Sequence, residues 1–96
     1  MTGSTRSSDG LSPRRRRLLF RSWHRGIREM DVLMGRFADS CIAELEDSEL
    51  DEYERLLELP DHDLYGWITG EGTTPAPYAT ALLLRLRAFH EKSGQD

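Results

Sequence analysis

The stretch WHRGIREMD, residues 23–31, marks the point where the chain changes the sign of its charge and where one helical pattern gives way to the next. Gly26 lies at its centre, and a glycine between two helix-like segments can end the first of them because it adopts positive φ without a steric penalty. Arginines flank it at positions 25 and 28, and the acids Glu29 and Asp31 follow. A helix end alone does not explain these charged neighbours, so they are the first candidates for a functional surface.

Charge is divided unevenly along the chain. The net charge is −4 overall, but residues 1–28 carry eight arginines and one aspartate, a net charge of +7. Residues 29–69 carry thirteen acids and two arginines, a net charge of −11. The acidic average argues against a general nucleic-acid binder, and the split indicates either a partner surface or internal pairing of the two halves.

Length and composition indicate one small globular domain. The chain has 96 residues, of which 38% are hydrophobic and 31% are charged. Residues 1–13, rich in Ser, Thr and Gly, are predicted to form a flexible tail, which leaves residues 14–93 as the domain. A single cysteine allows no intrachain disulfide and favours a reducing compartment. No apolar run approaches the roughly 18 residues that a membrane span needs.

Apolar residues recur at helical spacing, and no stretch shows a sustained alternating pattern. The predicted helix starts are at Ser12-Pro13, after Gly26, at Asp47 or at Ser48 with Asp51 as its partner acid, at Asp61 or Asp63, and at Thr74-Pro75 or Ala76-Pro77. The sequence therefore predicts an all-α fold, a small antiparallel bundle of five short helices.

Four of the five predicted helices have an apolar stripe. The stripes are Leu18, Leu19, Ser22, Trp23 and Gly26; Met30, Leu33, Met34, Phe37, Cys41 and Leu45; Leu50, Tyr53, Leu56 and Leu57; and Tyr78, Leu82, Leu86 and Phe89. The short fourth helix holds Leu64, Tyr65, Trp67 and Ile68. Gly35 interrupts the second helix at a cost of up to about 1 kcal/mol relative to alanine, so we expect close helix packing there. Cys41 is expected to be a small buried hydrophobe.

Patterns typical of catalysis are missing. The sequence has no phosphate-binding glycine loop, and its three histidines do not have the spacing of metal ligands. His62 lies between Asp61 and Asp63, which is more simply a polar helix start. We therefore predict no enzymatic activity, no catalytic residue, no metal site and no cofactor-binding residue.

Three interpretations of the charged regions remain. An arginine-rich first helix, with Arg14–Arg17, can neutralise phosphates, so a small helical nucleic-acid-binding protein is the alternative function. A docking surface uses the central stretch better, because Arg25 and Arg28 can bind carboxylates or phosphates with two hydrogen bonds each. Glu29 can then accept from a partner, and Gly26 lets another backbone approach. In the purely structural interpretation, Glu29 caps the second helix and pairs with Arg25 across the turn.

Residues 25–31, RGIREMD, resemble the RGxxE motif of the SdhE family, the FAD assembly factors of succinate dehydrogenase, which include succinate dehydrogenase assembly factor 2. Residues 56–58 and 60–67 resemble the family's LLE, DxDL and aromatic-x-Trp pattern, and Trp23 precedes the motif as expected. The matches cover roughly residues 14–69 in order, which makes the resemblance more specific than the motif alone. His62 departs from the family, since many members have proline between the two aspartates.

The resemblance implies a five-helix chaperone that binds the flavoprotein subunit of succinate dehydrogenase, and often that of fumarate reductase. It implies that the factor promotes covalent attachment of FAD to a histidine of the partner while binding no cofactor stably itself. A monomer is expected, without nucleic acid or membrane insertion, in a bacterial cytoplasm or alternatively the mitochondrial matrix. The residues implied to bind the partner are Arg25, Gly26 and Glu29, with Arg28, Met30 and Asp31 beside them.

Overall fold

The structure is a computed structural model that describes residues 10–93. Within this range the chain forms five α-helices, one short 3-10 helix and no strand, which confirms the predicted all-α class. The helices are α1 Pro13–Trp23, α2 Arg28–Cys41, α3 Asp47–Leu57, α4 Asp61–Thr69 and α5 Ala81–Ser93, with the 3-10 helix at Ala76–Tyr78. The predicted tail falls largely on residues 1–9, which lie outside the described residues.

The chain divides into two compact units, Met1–Leu50 and Asp51–Asp96. The boundary falls within α3, so α1 and α2 belong to the first unit and α4 and α5 to the second. The prediction of a single domain over residues 14–93 stays a prediction. No helix in residues 10–93 is both long and apolar enough to cross a bilayer.

The first helix begins as the sequence predicts. Ser12 Oγ accepts a hydrogen bond from the Arg15 amide at 3.2 Å, and Pro13 occupies the first helical position. The predicted stripe is buried except at Gly26, which is exposed because α1 ends at Trp23. Ser22 is fully buried, and its hydroxyl donates to the Leu18 carbonyl at 2.7 Å, which satisfies this buried polar group.

Arg15 joins the start of α1 to the end of α2. Its Nε donates to the Ile42 carbonyl at 3.0 Å and its Nη2 to the Leu45 carbonyl at 2.6 Å. Carbonyls at a helix C-terminus lack helical partners, and a cation there complements the helix dipole. Since residues 24–27 join the opposite ends, α1 and α2 run antiparallel. Arg15 therefore has a structural role, whereas Arg16 and Arg17 are exposed.

Gly35 is the place where α1 and α2 pack closely, as predicted. The Trp23 indole lies so near its Cα that an added Cβ would overlap three ring atoms. The indole Nε1 donates to Asp39 Oδ1 at 3.1 Å, which holds the ring in position. The glycine thus weakens α2 locally but admits the largest side chain of α1.

In the second unit, α4 packs on α5. The buried residues of these two helices are Leu64, Ile68, Leu82, Leu83 and Leu86. Tyr65 and Trp67 of α4 are half-buried, as is Phe89 of the predicted stripe of the last helix. Helix α4 ends at Gly70, whose φ is 81°, and the Glu71 amide donates to the Gly66 carbonyl at 2.8 Å. The positive φ of Gly70 makes this a glycine-based helix end.

The cap of α3 differs from the predicted Ser48 and Asp51 pair. Helix α3 begins at Asp47, and Glu49 Oε1 accepts from the Glu46 amide at 2.9 Å. A glutamate at the third helical position that reaches back to the preceding amide is one half of a capping box. The box is therefore placed two residues earlier than predicted.

Helix α5 begins later than predicted. Pro75 immediately precedes the 3-10 helix, and Pro77 lies within it. Helix α5 starts only at Ala81, and Thr80 Oγ1 accepts a hydrogen bond from the Leu83 amide at 3.3 Å. A proline suits the start of either an α-helix or a 3-10 helix. The two prolines therefore mark the start of the 3-10 helix and not, as predicted, the start of α5. Tyr78 consequently lies in the connection and is half-buried.

We expect Gly35→Ala to lower the free energy of unfolding by about 1 to 3 kcal/mol, because the new methyl group forces the Trp23 ring to move. The matched control is Gly66→Ala, a helical glycine with nothing within 4 Å of an added Cβ. That change should stabilise the protein by up to about 1 kcal/mol through helix propensity. Urea denaturation followed by circular dichroism measures both. Equal effects of the two substitutions would contradict the close contact.

Candidate docking site at the turn between the first two helices

Residues 24–27 form a tight turn between α1 and α2. The His24 amide donates to the Arg21 carbonyl at 3.3 Å as α1 ends, and Gly26 takes a φ of 103°. Ile27 then has extended backbone, with φ −123° and ψ 128°, and immediately precedes α2. The positive φ at the centre of the turn is the physical reason for a glycine at this position.

The Asp31 carboxylate holds the turn in place. Its Oδ1 accepts hydrogen bonds from the Arg25 amide at 2.5 Å and from the Gly26 amide at 3.2 Å. Asp31 lies in the first turn of α2, where a negative charge also complements the helix dipole. Its own amide donates to the Ile27 carbonyl at 2.9 Å, the first helical bond of α2. One residue therefore shapes the turn and begins the helix.

Glu29 is not the residue that binds the turn. Its side chain is exposed and makes no hydrogen bond or ion pair with any residue in the range 10–93. Arg28 is likewise exposed and has no such contact within that range, and Arg25 is half-buried. The interpretation in which Glu29 caps α2 and pairs with Arg25 is therefore wrong for this structure, because Asp31 makes the capping contact.

Met30 does not belong to the surface. It is 1% exposed and lies on the buried stripe of α2. A side chain in that position gives a partner no surface to contact without disrupting the core. We therefore correct its assignment from a contact residue to a core residue.

The remaining motif residues form one accessible surface, which we call the turn surface: Arg25, Gly26, Ile27, Arg28 and Glu29. A Cβ added at Gly26 would meet no atom within 4 Å, so the space above this glycine is open. Guanidinium groups and a carboxylate around an open backbone segment can bind complementary charged groups and peptide backbone. The arrangement therefore suits recognition of such groups.

Other candidate chemistry is accounted for by the fold. Cys41 is buried, and its thiol donates to the Phe37 carbonyl at 3.2 Å. Among residues 10–93 no three His, Cys, Asp or Glu side chains are grouped so that they could hold a metal ion. A cleft beside α4, lined in part by His62, Asp63 and Glu71, is open to solvent.

Two exposed residues near the turn were not predicted from the sequence. Phe20 and Ile27 are large apolar side chains that are 61% and 47% exposed. Phe20 falls outside the stripe of α1, and that position was the only signal that could have identified it. Ile27 lies within the motif, but its exposure depends on the turn geometry, which periodicity does not predict.

Comparison with known proteins agrees with the resemblance. A family model described as "Flavinator of succinate dehydrogenase" matches residues 16–90. The FAD assembly factor SdhE of Acetobacter pasteurianus is 40% identical over 80 residues, which cover 83% of this chain and 73% of that protein. No solved structure matches the chain.

Mitochondrial proteins are similar over a comparable stretch. Succinate dehydrogenase assembly factor 2 of Scheffersomyces stipitis is 44% identical over 73 residues, or 75% of this chain and 49% of that protein. The protein of the same name from Dictyostelium discoideum is 39% identical over 69 residues, or 72% of this chain and 49% of that protein. The chain therefore spans about half the length of these mitochondrial relatives.

We expect Asp31→Ala to destabilise the protein by about 1.5 to 3 kcal/mol, because it removes a charged acceptor that two amides share. The amides of Arg25 and Gly26 should also exchange their hydrogens faster. Glu29→Ala is the matched control, an acid in the same helical turn without these bonds. It should leave the exchange of both amides unchanged and cost at most about 1 kcal/mol through the helix dipole. Hydrogen exchange followed by NMR makes the test, and unchanged exchange at both amides in Asp31→Ala would contradict it.

Proposed function

The chain belongs to the family of succinate dehydrogenase flavinators, the SdhE and assembly factor 2 proteins, and we propose that it binds the flavoprotein subunit of succinate dehydrogenase. Binding promotes covalent attachment of FAD to that subunit. The observation that carries the proposal is the turn surface, where Arg28 and Glu29 are exposed without intramolecular partners among residues 10–93. The flavoprotein of fumarate reductase is a second client.

The turn surface is organised before the partner arrives. Asp31 fixes the backbone of Arg25 and Gly26 from within the chain, so little conformational freedom is lost on binding. Arg25 and Arg28 bind carboxylate or phosphate groups of the partner, and Glu29 accepts from an arginine or a backbone amide there. Gly26 lets the partner's backbone approach the turn directly.

The contribution to flavin attachment is conformational. A factor that binds one conformation of the flavoprotein more tightly than others raises the population of that conformation. If the favoured conformation places the flavin against its acceptor histidine, the attachment accelerates because the reacting groups are already oriented. The partner and its FAD supply the reacting groups, so the small chain acts as a monomeric chaperone with no catalytic residue and no resident cofactor.

The bacterial cytoplasm is the compartment that we propose, with the mitochondrial matrix as the alternative. Both settings occur among the similar proteins. The nucleic-acid alternative gains no support from the family match. It is also weakened because Arg15, one of the four consecutive arginines, already binds the Ile42 and Leu45 carbonyls just after α2.

Two substitutions at Gly26 distinguish its role in the backbone of the turn from its role in the docking surface. Gly26→Ala and Gly26→Arg both force a side chain into positive φ, so each should cost about 1 to 2 kcal/mol of stability. Only arginine fills the open space above the turn. We therefore expect Gly26→Arg to abolish covalent flavin on the partner while Gly26→Ala retains a substantial part. Both variants should keep their helical circular dichroism.

Covalent flavin is measured by its fluorescence in a denaturing gel after mixing each variant with the apo flavoprotein and FAD. The wild-type protein gives the upper limit of the fluorescence, and a reaction without this chain gives the lower limit. If alanine and arginine reduce the signal equally and in proportion to their loss of stability, Gly26 serves the backbone alone. If Gly26→Arg unfolds the protein, the same conclusion follows.

Glu29→Ala should weaken binding of the flavoprotein subunit by about tenfold or more, since hydrogen bonds to a charged group contribute about 1.5 to 3 kcal/mol. Glu44→Ala is the control, an exposed acid beyond the end of α2 in the same unit. Isothermal titration calorimetry gives both dissociation constants. Equal constants for the two variants would remove Glu29 from the interface.

A further inference from the structure

Two large apolar side chains are exposed to solvent near the turn, one on α1 and one at the end of the turn itself. Phe20 is 61% exposed in the second half of α1, and Ile27 is 47% exposed immediately before α2. Among residues 10–93 one other large apolar residue is exposed, Leu84, at 60% in α5 of the second unit. Of these three residues, Ile27 belongs to the turn surface and Phe20 lies on α1 close to it, and both leave much of their apolar surface accessible.

The Phe20 ring is held in a fixed position. The His24 ring stacks on it with a centroid distance of 3.9 Å and an interplanar angle of 13°. His24 Nδ1 also donates to the Phe20 carbonyl at 2.7 Å, which fixes the imidazole against the helix. A pre-positioned aromatic side chain loses little rotamer freedom on binding, and this is typical of residues that anchor an interface.

The surroundings of these side chains are positively charged. Arg16 and Arg17 lie one helical turn before Phe20 and are exposed, and exposed Arg28 follows Ile27 directly. Helix α1 contains no acidic residue. A complementary surface therefore needs an apolar recess with carboxylates around it.

We propose that Phe20 and Ile27 are apolar anchors that enter such a recess on the flavoprotein subunit, beside the groups bound by Arg25, Arg28 and Glu29. This inference rests on the proposed function and names the chemistry of its partner site. The anchors supply apolar area that the charged turn lacks, and the surrounding arginines set orientation through the carboxylates. The docking surface then extends from the turn onto the exposed face of α1.

The test compares Phe20→Ala with Leu84→Ala, two substitutions at nearly equal exposure in different units. Calorimetric titration of each full-length variant into the purified apo flavoprotein subunit gives its dissociation constant. Phe20→Ala should raise the constant about tenfold or more, and Leu84→Ala should change it less than about twofold. Phe20→Leu, which keeps most of the apolar area, should recover part of the affinity. Circular dichroism confirms that all three variants keep their helices.

If wild type binds the flavoprotein and Phe20→Ala binds equally well, Phe20 is not an anchor and this inference is wrong, while the proposed function stands. If wild type itself does not bind, both fail together. Phe20-dependent self-association in analytical ultracentrifugation, with unchanged flavoprotein affinity, would assign the patch to a second copy of this chain. Phe20-dependent binding to anionic phospholipid vesicles or to single-stranded oligonucleotide, again with unchanged flavoprotein affinity, would likewise overturn the proposal.

Discussion

The Oδ1 atom of Asp31 accepts from two consecutive backbone amides, those of Arg25 and Gly26, and this pair of bonds determines the shape of the turn. Amides that precede a helix have no helical partner, so without the carboxylate they would bind water and the turn would sample other conformations. The positive φ of Gly26 is a consequence of the same arrangement, because the chain must reverse within residues 24–27. The conformation of this backbone therefore determines where the side chains of the turn surface lie.

Helices α1 and α2, which carry the turn, are held together by contacts at both ends of α1. At one end the Trp23 ring rests on Gly35 and is fixed by Asp39. At the other end Arg15 binds carbonyls at the C-terminus of α2. Because both contacts join α1 to α2, the helices cannot slide past each other without breaking one of them. A surface that spans the turn and the exposed face of α1 therefore has a fixed geometry.

Periodicity predicted most of the helices because the spacing of apolar residues along a helix is a local property of the sequence. The stripes of α1, α2 and α3 are buried nearly as expected. The start of α5 was not predictable in the same way, since Pro75 and Pro77 suit a 3-10 helix as well as an α-helix. The prediction of close packing at Gly35 succeeded because a glycine inside a helix requires a reason that packing supplies.

The site was only partly predictable for a physical reason that its acids illustrate. Glu29 and Asp31 both lie in the first turn of α2, and the sequence could not say which of them faces back toward the turn. The path of residues 24–27 decides it, because that path brings the Arg25 and Gly26 amides to Asp31. Resemblance to a motif identifies Arg25, Gly26 and Glu29 without assigning a role to each.

Roles in the motif region consequently differ between neighbours. Asp31 shapes the turn and Met30 fills the core, whereas Arg28 and Glu29 are exposed and bind no residue in the range 10–93. Gly26 belongs to both groups, since its φ serves the fold and its missing side chain leaves space for a partner. Loss of function at any of these positions therefore has two possible physical causes. Stability separates them, because a change confined to the exposed residues leaves the free energy of unfolding unaltered while affinity falls.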